Sequence, residues 1–371
     1  MTRHYLDHAS TTPVRSEALE TMLPWLSSSG GAADPGRVHT EGRMARVALE
    51  EAREQVAQLV GARAREVVFT SGATEAINAA AWMAGDRGTH VVCPLVEHSA
   101  VRDASARAGD VTWVGVDRLG RVDPDEVMTA VRPGETAIVH LQWGNHEVAT
   151  LQPVRDVVAR CREAGVLVHV DAAAAVGHVP VDFAALGADL LSVSGHKFGA
   201  PPGTGALLVR RGLRLRPFLV GGEQERARRA GFENVPALIG FGAAAAAVDV
   251  EAECHAQRGL TDRALAFLST LDGVRVLGDP VDRLPHLVCV SVDGVEAEPV
   301  LLGLDQAGIA AHSGSSCSSE SLEPSPVLEA MGVEAERSLR ISVGWPTTDA
   351  DIDALCRALP GVLDRLRSLR S

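Results

Sequence analysis

Short apolar runs alternate with helix-like segments along the first two thirds of the chain. Runs of about five apolar residues recur every 17 to 29 positions, with polar, helix-forming residues between them. Strands of this length that alternate with helices are typical of a mostly parallel sheet with helices on both faces. The pattern therefore predicts an α/β fold. The predicted strands are 66–70, 90–94, 111–116, 137–141, 166–170, 188–191 and 205–209.

The pattern changes near residue 250. The alanine-rich segment 237–256 predicts one long helix that leads into a second part of the chain. Strand-like runs are fewer beyond it, which predicts a smaller α+β lobe. In this lobe, strands are expected at 286–291, 308–312 and 339–343, and helices at 298–306 and 349–367.

Composition excludes several classes of function. Lys and Arg number 35 against 48 Asp and Glu, so the net charge is −13, which argues against direct binding of nucleic acid. No uninterrupted apolar stretch approaches the length that spans a membrane, and residues 1–7 are polar, without the apolar core of a signal peptide. We therefore expect a cytoplasmic protein that binds neither nucleic acid nor membrane.

The six cysteines are scattered and form no CxxC pair. This spacing predicts reduced thiols of a cytoplasmic protein, with no disulfide framework and no metal site. Cys289 lies in a strand-like run and is expected in the core. Cys317 differs, because it lies in a loop of small polar residues, where a thiol is exposed. Taken alone, it is as often an incidental thiol as a nucleophile.

Lys197 follows the predicted strand 188–191, in the segment Ser194-Gly-His-Lys197. A lysine at the carboxyl end of a strand lies at the edge where open α/β sheets bind ligands. Burial can remove its proton, and the free amine then attacks a carbonyl carbon. A lone lysine after a strand is more often an ordinary surface residue, so this interpretation depends on the other strand ends.

Three other predicted strands end in polar residues. The segment 70–75 opens a helix, and free backbone N–H groups at a helix start suit a phosphate, although the same residues also serve as an ordinary helix cap. Asp171 ends a buried strand and needs a partner such as a protonated ring nitrogen. His98 follows another strand end and can stack on a ring and move protons, although a loop histidine is commonly a surface residue.

Together these four features match the requirements of pyridoxal 5'-phosphate. The helix start would bind the phosphate, and Asp171 would keep the pyridine nitrogen protonated. His98 would stack on the ring, and Lys197 would form a Schiff base with the aldehyde and move protons at the substrate's Cα. The sequence therefore predicts a site for this cofactor at the carboxyl edge of the sheet.

At this point the chain resembles the cysteine desulfurases, which belong to the class V aminotransferase group of fold-type I pyridoxal-phosphate enzymes. The resemblance spans nearly the whole chain in the right order. It implies a large domain with a mostly parallel seven-stranded sheet and a smaller α+β C-terminal domain. The matching segments are 5–13, 69–75, 97–98, 169–171, 194–197, 314–317, 321–324 and 339–344.

The resemblance also implies roles for single residues. L-cysteine would bind the cofactor in place of Lys197, the Cys317 thiolate would attack the substrate sulfur and become a persulfide, and the product would be L-alanine. His98 would assist with protons, and Arg340 would bind the substrate carboxylate. Asn145 would lie near the substrate and the cofactor's 3-oxygen. The residues implied in contact with the phosphate are Ala73, Thr74, Ser194 and His196.

The family further implies a homodimer that passes its sulfur to an acceptor protein. The domain boundaries expected from the resemblance place an N-terminal segment, 1–15, against the small domain. The large cofactor-binding domain would cover 16–245. The small domain, 246–371, would carry a mobile loop with Cys317.

The chain departs from the family pattern around the cofactor ring. Ala174 stands where the family has a glutamine that donates to the cofactor's 3-oxygen, and His146 replaces an asparagine. Phe232 stands where a threonine of the neighbouring subunit usually reaches the phosphate. Either His146 or water takes the place of the missing donor, and these changes suggest a specialised pathway.

Two further alternatives stay open at the level of sequence. Another class V reaction, such as selenocysteine lysis or transamination, would use the same cofactor, and transamination would not need Cys317. A degenerate homologue acting as a scaffold would lack the cofactor, although the presence of Lys197, Asp171, His98 and Cys317 together argues against it.

Overall fold

The computed structural model describes residues 3–27, 33–313 and 324–369. In these ranges the strands and helices alternate as predicted up to residue 209, and strand boundaries differ from the predicted ones by a few residues. The strands are β1 (His4–Tyr5), β2 (Val67–Thr70), β3 (His90–Pro94), β4 (Asp110–Val114), β5 (Thr136–Gln142), β6 (Leu167–Asp171), β7 (Leu190–Ser194), β8 (Gly205–Val209), β9 (Val274–Leu277), β10 (Leu287–Val292), β11 (Ile309–Ala310) and β12 (Ser338–Ser342).

The largest sheet has seven strands in the order β2-β8-β7-β6-β5-β3-β4. Its neighbours pair in parallel except around β8, which runs antiparallel to both β2 and β7. Along each central strand, alternate residues enter two different apolar cores: Val139 and Val170 face one, and Ile138 and Leu167 face the other. The predicted mostly parallel, seven-stranded sheet covered on both faces is confirmed.

The helices that cover the sheet lie between its strands, and those of the last third accompany the smaller sheets. They are α1 (Ser16–Ser27), α2 (Thr40–Leu59), α3 (Ala73–Ala84), α4 (Ser99–Ala108), α5 (Pro124–Ala130), α6 (Val154–Glu163), α7 (Phe183–Leu186), α8 (Val235–Ala247), α9 (Val250–Leu268), α10 (Ala297–Gln306), α11 (Pro326–Ala330) and α12 (Asp349–Ser368).

The single long helix predicted for 237–256 is wrong, because the chain forms two helices, α8 and α9, bent by 76°. The backbone of Val248 leaves the helical region, with φ −73° and ψ 115°. Asp249 then caps α9, since its carboxylate accepts a hydrogen bond from the Ala252 N–H at 3.0 Å. An apolar, alanine-rich run hides this break, and only the Asp249 cap signals it.

Among the described helices, none by itself is long and apolar enough to cross a membrane. The bent pair of α8 and α9 meets the length and composition required only when its two helices are taken together.

A second, antiparallel sheet has the order β12-β10-β9, and its core includes Leu268, Leu304 and Leu355. Strand β9 was not predicted, because it is a short, half-exposed edge strand without an apolar run. The N-terminal strand β1 pairs in parallel with β11, and Leu6 is buried in this second core. The domain boundaries expected from the resemblance remain a prediction.

Residues 225–227 form a left-handed turn near the end of the large sheet. Glu225, Arg226 and Ala227 have φ values of 50°, 59° and 59°, which cost roughly 1–2 kcal/mol per residue in side chains other than glycine. The Glu225 carboxylate offsets this strain, because it forms a buried, two-pronged ion pair with Arg53 at 2.6 and 2.7 Å. Glu225 also accepts the Phe69 N–H of β2 at 2.9 Å, so the turn is fixed to the sheet.

Candidate active site

The carboxyl ends of β2, β5, β6 and β7 surround one cavity of about 510 Å³. Open α/β sheets bind ligands at this edge. Eight of the residues predicted from the sequence line the cavity together, although they come from five different segments. They are Ala73, Thr74, His98, Asp171, Ser194, His196, Lys197 and Arg340.

Lys197 ends a tight turn, Gly195–Lys197, that follows β7 directly. The turn is compact, since a Cβ on Gly195 would lie 2.4 Å from the Thr204 Oγ1. The Lys197 Nζ donates hydrogen bonds to the backbone carbonyls of Ala9 and Ser10, the latter at 3.0 Å. Lys197 is the only lysine in the 371 residues, so the cavity holds the chain's single lysine amine. The role of the N-terminal segment in holding this amine was not predicted.

The predicted phosphate cradle lies between β2 and α3. Gly72, at φ 154°, adopts a backbone conformation that other residues rarely take, and it presents the first turn of α3 to the cavity. Glu75 fixes this turn, because its Oε2 accepts the Ser71 N–H at 2.9 Å and its Oε1 pairs with Arg229 at 2.8 Å. Burial, and then the charge of Lys197, lower the pKa of His196 to about 4, so its ring is neutral.

Asp171 ends β6 and is 8% exposed. Its Oδ1 accepts hydrogen bonds from the Ser192 Oγ at 2.6 Å and from the Ala173 N–H at 3.1 Å. These bonds hold the carboxylate at the edge of the cavity, where it suits a cationic nitrogen. Ala174, which stands in place of the expected glutamine, also lines the cavity.

Glu97 was assigned no role from the sequence, yet its side chain is buried near the Asp171 carboxylate. Its Oε1 accepts the Gln142 N–H at 2.6 Å, and its Oε2 has no partner among the described residues. Burial, reinforced by the charge of Asp171, raises the pKa of Glu97 to about 8. The carboxyl group of Glu97 therefore keeps its proton at neutral pH. The sequence signal for Glu97 was its position three residues after β3, next to His98.

His98 is the N-cap of α4, and its Nδ1 accepts the Ala100 N–H at 3.0 Å. Its ring meets the ring of His146 edge to face, with the centroids 5.1 Å apart. The Nε2 of His146 lies 3.5 Å from the Oε1 of Glu147. Both histidines line the cavity.

Arg340 lies in β12 and brings the second sheet to the cavity. Its Nη1 donates to the His146 carbonyl oxygen at 3.0 Å, and its Nη2 donates to the Asp7 Oδ1 at 3.1 Å. The guanidinium is therefore held from two directions while it lines the cavity, as a carboxylate-binding group must be.

One predicted site residue lies elsewhere. Asn145 is fully buried and is not among the residues that line the cavity; its Oδ1 accepts the N–H groups of Glu147 and Val148 at 2.8 Å each. Asn145 therefore shapes the turn that carries His146 and Glu147. Cys317 lies outside the described residues.

Below the cavity, His140 of β5 and His169 of β6 face each other, with their Nδ1 atoms 2.9 Å apart. Both rings are fully buried, and neither Nε2 has a partner among the described residues. Burial lowers the pKa of His140 to about 4 and that of His169 well below its ordinary value, so both rings are neutral and share one proton between the two Nδ1 atoms.

This pair predicts sensitivity to acid. The pKa of an unfolded histidine is about 6.5, whereas that of folded His140 is about 4. Between these values the unfolded chain binds more protons than the folded chain. The free energy of unfolding therefore falls as the pH drops from about 6.5 to 4. In His140→Gln, we expect the loss of unfolding free energy over this range to be smaller by roughly 1.4 kcal/mol per pH unit. Urea unfolding at neutral and acidic pH measures the free energy of unfolding of both proteins. The exposed His255→Gln serves as the control and should keep the wild-type slope.

The profile of the family described as Aminotransferase class-V matches residues 4–355. Among curated proteins, the cysteine desulfurase IscS of Methanosarcina thermophila is 39% identical over 98% of this chain and 93% of its own. The cysteine desulfurase of Gluconacetobacter diazotrophicus is 42% identical over 98% of this chain and 94% of its own. The chain belongs to the class V aminotransferases, among the cysteine desulfurases.

Solved structures agree with this family. A NifS-like protein superimposes on this desulfurase homologue with a TM-score of 0.91 and 29% identity, over 98% of this chain and 100% of that one. A structure described as SspA in complex with cysteine gives a TM-score of 0.80 and 30% identity, over 93% of this chain and 100% of that one. The resemblance stated from the sequence, and the fold that it implies, are confirmed.

Proposed function

We propose that this chain is a cysteine desulfurase that converts L-cysteine to L-alanine with pyridoxal 5'-phosphate as its cofactor. The observation that carries the proposal is the position of Lys197, the chain's only lysine, in a cavity shared with a helix start and a buried carboxylate. The curated relatives described above, which cover 98% of the chain, support the substrate and the reaction.

The residues around the cavity fit this cofactor. The first turn of α3, with Ala73 and Thr74, and the side chains of Ser194 and His196 offer several hydrogen-bond donors to a phosphate. Asp171 offers an anion to the pyridine nitrogen, and Lys197 offers the amine that condenses with an aldehyde. No other lysine competes for that aldehyde.

When bound, the cofactor withdraws electron density from the substrate's Cα. Around it, Arg340 binds the substrate carboxylate, and the Lys197 Nζ moves a proton at Cα. His98 presents its ring to the cofactor. Asn145 acts near the substrate and cofactor through the turn that it closes.

The sulfur atom leaves the substrate for Cys317. In the net reaction, L-cysteine and the Cys317 thiol give L-alanine and a Cys317 persulfide, so atoms and electrons balance without a further reductant. The persulfide then passes its outer sulfur to an acceptor protein. A thiol in a segment of small polar residues suits this transfer, because the acceptor must reach it.

The test is to incubate the purified, cofactor-loaded protein with L-cysteine and to measure alanine and the mass of the Cys317 peptide. For the wild type we expect alanine as the product and one additional sulfur atom on the Cys317 peptide. For Cys317→Ala we expect no alanine and no added sulfur. Alanine production that Cys317→Ala does not lower, or a 2-oxo acid as the product, would replace desulfuration with another class V reaction. A protein that binds no cofactor would support the alternative that the chain is a degenerate homologue acting as a scaffold.

We also propose that the enzyme is a homodimer. Helices α1 and α2 both pack on α8, and each leaves apolar side chains exposed on its outer surface. On α1, Leu19, Leu23 and Leu26 share one face and are 50%, 50% and 63% exposed; on α2, Met44 is 58% exposed. Apolar surface of this kind is stable in water when a second copy covers it.

Leu23→Glu together with Met44→Glu should separate the two subunits. A charge at the centre of an apolar interface costs several kcal/mol, since it loses its hydration there. Light scattering should give twice the 39.0 kDa chain mass for the wild type and one chain for the double variant. Leu302→Glu, at a leucine 58% exposed on α10, is the matched control and should stay dimeric. A wild type with the mass of one chain would contradict the proposal.

We also propose a cytoplasmic location, which the free thiols support. Cys93, Cys161 and Cys289 are buried and unpaired, and burial raises the pKa of each. Thiols of this kind are typical of a reducing compartment.

A further inference from the structure

The backbone carbonyls at residues 196–199, around Lys197, are all held by hydrogen bonds from other segments. Three of these oxygens accept from Thr12 and Arg15 of the N-terminal segment, at 3.1, 2.8 and 2.9 Å; they belong to His196, Phe198 and Gly199. The carbonyl of Lys197 itself has a different kind of partner. The imidazole Nε2 of His178 lies 3.2 Å from its oxygen. A buried histidine therefore holds the main chain of the lysine.

His178 reaches this carbonyl from the segment that follows β6. Gly177, at φ 85°, brings that segment against the lysine turn, because a Cβ on Gly177 would lie 2.5 Å from the Cβ of Phe198. A carbonyl oxygen only accepts hydrogen bonds, so the Nε2 of His178 is the donor. The residue is 3% exposed, and burial lowers the pKa of His178 to about 4. The ring is therefore neutral, with a lone pair on Nδ1.

The rest of the imidazole faces the second part of the chain. The side-chain amide of Gln257, on α9, lies 2.9 Å from the Nδ1 and can present its NH2 group to the lone pair. The ring of His286 stacks on the imidazole, with centroids 3.6 Å apart and planes inclined by 16°. His286 directly precedes β10, which pairs with β12, the strand of Arg340. One imidazole thus joins the turn of Lys197 to the sheet that carries this arginine.

We propose that His178 is a positioning residue for Lys197, which fixes the main chain of the lysine relative to the sheet that carries Arg340. The inference rests on the proposed desulfurase function, in which Arg340 binds the substrate carboxylate and the Lys197 Nζ moves a proton at Cα. Both groups act on one small substrate, so a change of about 1 Å in their separation costs on the order of 10²-fold in rate. The hydrogen bond from Nε2 and the stacked ring keep that separation constant.

Two amide variants separate the two hydrogen bonds of the ring. In His178→Gln, the longer side chain brings an NH2 group to the position of Nε2 and keeps a donor for the Lys197 carbonyl. In His178→Asn, the amide reaches only the position of Nδ1, so it keeps the contact with Gln257 and loses the Lys197 carbonyl. His90→Asn is the control, because His90 is equally buried and binds two threonine hydroxyls at the amino end of β3, away from the cavity.

Hydrogen exchange of the peptide 194–200, measured by mass spectrometry, reports on the lysine turn without turnover. We expect His178→Asn to raise its amide exchange by about 3- to 10-fold, since one hydrogen bond is lost. His178→Gln and His90→Asn should match the wild type in this peptide. On the cofactor-loaded proteins, the midpoint of the absorbance change with pH reports on the linkage to Lys197. Among these three variants, it should shift only in His178→Asn.

Kinetics test the same role during the reaction. We expect His178→Asn to lower kcat for alanine formation by about 10- to 100-fold, with KM for L-cysteine changed by less than about twofold, because Arg340 still binds the carboxylate. His178→Gln should restore most of the lost kcat. Wild-type exchange and kcat in His178→Asn, or equal losses in the two amide variants, would overturn the proposal. If the wild type forms no alanine, the proposed function fails, and the exchange of the peptide 194–200 decides the inference.

Discussion

Replacement of Lys197 by alanine abolishes alanine formation from L-cysteine, with a loss on the order of 10⁴-fold or more. The reason is that the chain has no second lysine, so no neighbouring amine can take over either the bond to the aldehyde or the proton transfer at Cα. The initial rate at saturating pyridoxal 5'-phosphate measures the loss. The absorbance of the bound cofactor, recorded on the same samples, shows whether its linkage to the protein has changed.

Lys197→Arg is the matched control for this prediction. An arginine keeps the positive charge near the carbonyl oxygens of Ala9 and Ser10, but it cannot lose its proton to become a nucleophile. Both variants should therefore be equally inactive while the circular dichroism of the wild type is retained. Substantial activity in either folded variant would show that the reaction does not depend on this amine.

The largest expected effect on stability comes from Glu225→Ala. Its carboxylate is buried with Arg53, and both side chains are 2% exposed, so the substitution leaves a buried guanidinium with only the Glu50 carboxylate, at 3.3 Å, as an acidic partner. We expect a loss of about 3–5 kcal/mol in the free energy of unfolding. The left-handed turn at 225–227 would also lose the contact that holds it to β2. Urea unfolding followed by circular dichroism measures the change.

Two variants check that burial is the cause. Arg275→Gln removes one partner of an ion pair with Asp293 whose side chains are 71% and 49% exposed, and it should cost no more than about 1 kcal/mol. The double variant Arg53→Met with Glu225→Met removes both buried charges and should be more stable than Glu225→Ala alone. Equal losses for the buried and the exposed pair would contradict this explanation.

The fold and the centre of the site could be predicted because both follow from strand ends. Apolar runs place the strands, and parallel strands in one sheet bring their carboxyl ends together. Asp171 and Lys197 end the neighbouring strands β6 and β7, so the sequence alone places them at one edge. The predicted phosphate cradle at the start of α3 could be placed at the same edge, because it directly follows the carboxyl end of β2.

What could not be predicted depends on contacts between distant segments. The carbonyl oxygens of Ala9 and Ser10 meet Lys197, and Asp7 meets Arg340, only because the N-terminal segment crosses to the cavity. The break between α8 and α9 is absent from the apolar pattern, since α8 ends in five consecutive alanines and α9 resumes directly afterwards at Val250. The orientation of the His98 ring is fixed by its bond to a single backbone N–H, and no periodicity in the sequence encodes that contact.

The most direct test of the central claim is reduction of the pyridoxal 5'-phosphate-loaded wild-type protein with borohydride, followed by peptide mass mapping. A Schiff base between the cofactor and an amine becomes a stable secondary amine under these conditions. With a single lysine in the chain, the account predicts one modified peptide, with the pyridoxyl group on Lys197. Modification of the α-amino group alone, or of no residue, would contradict it.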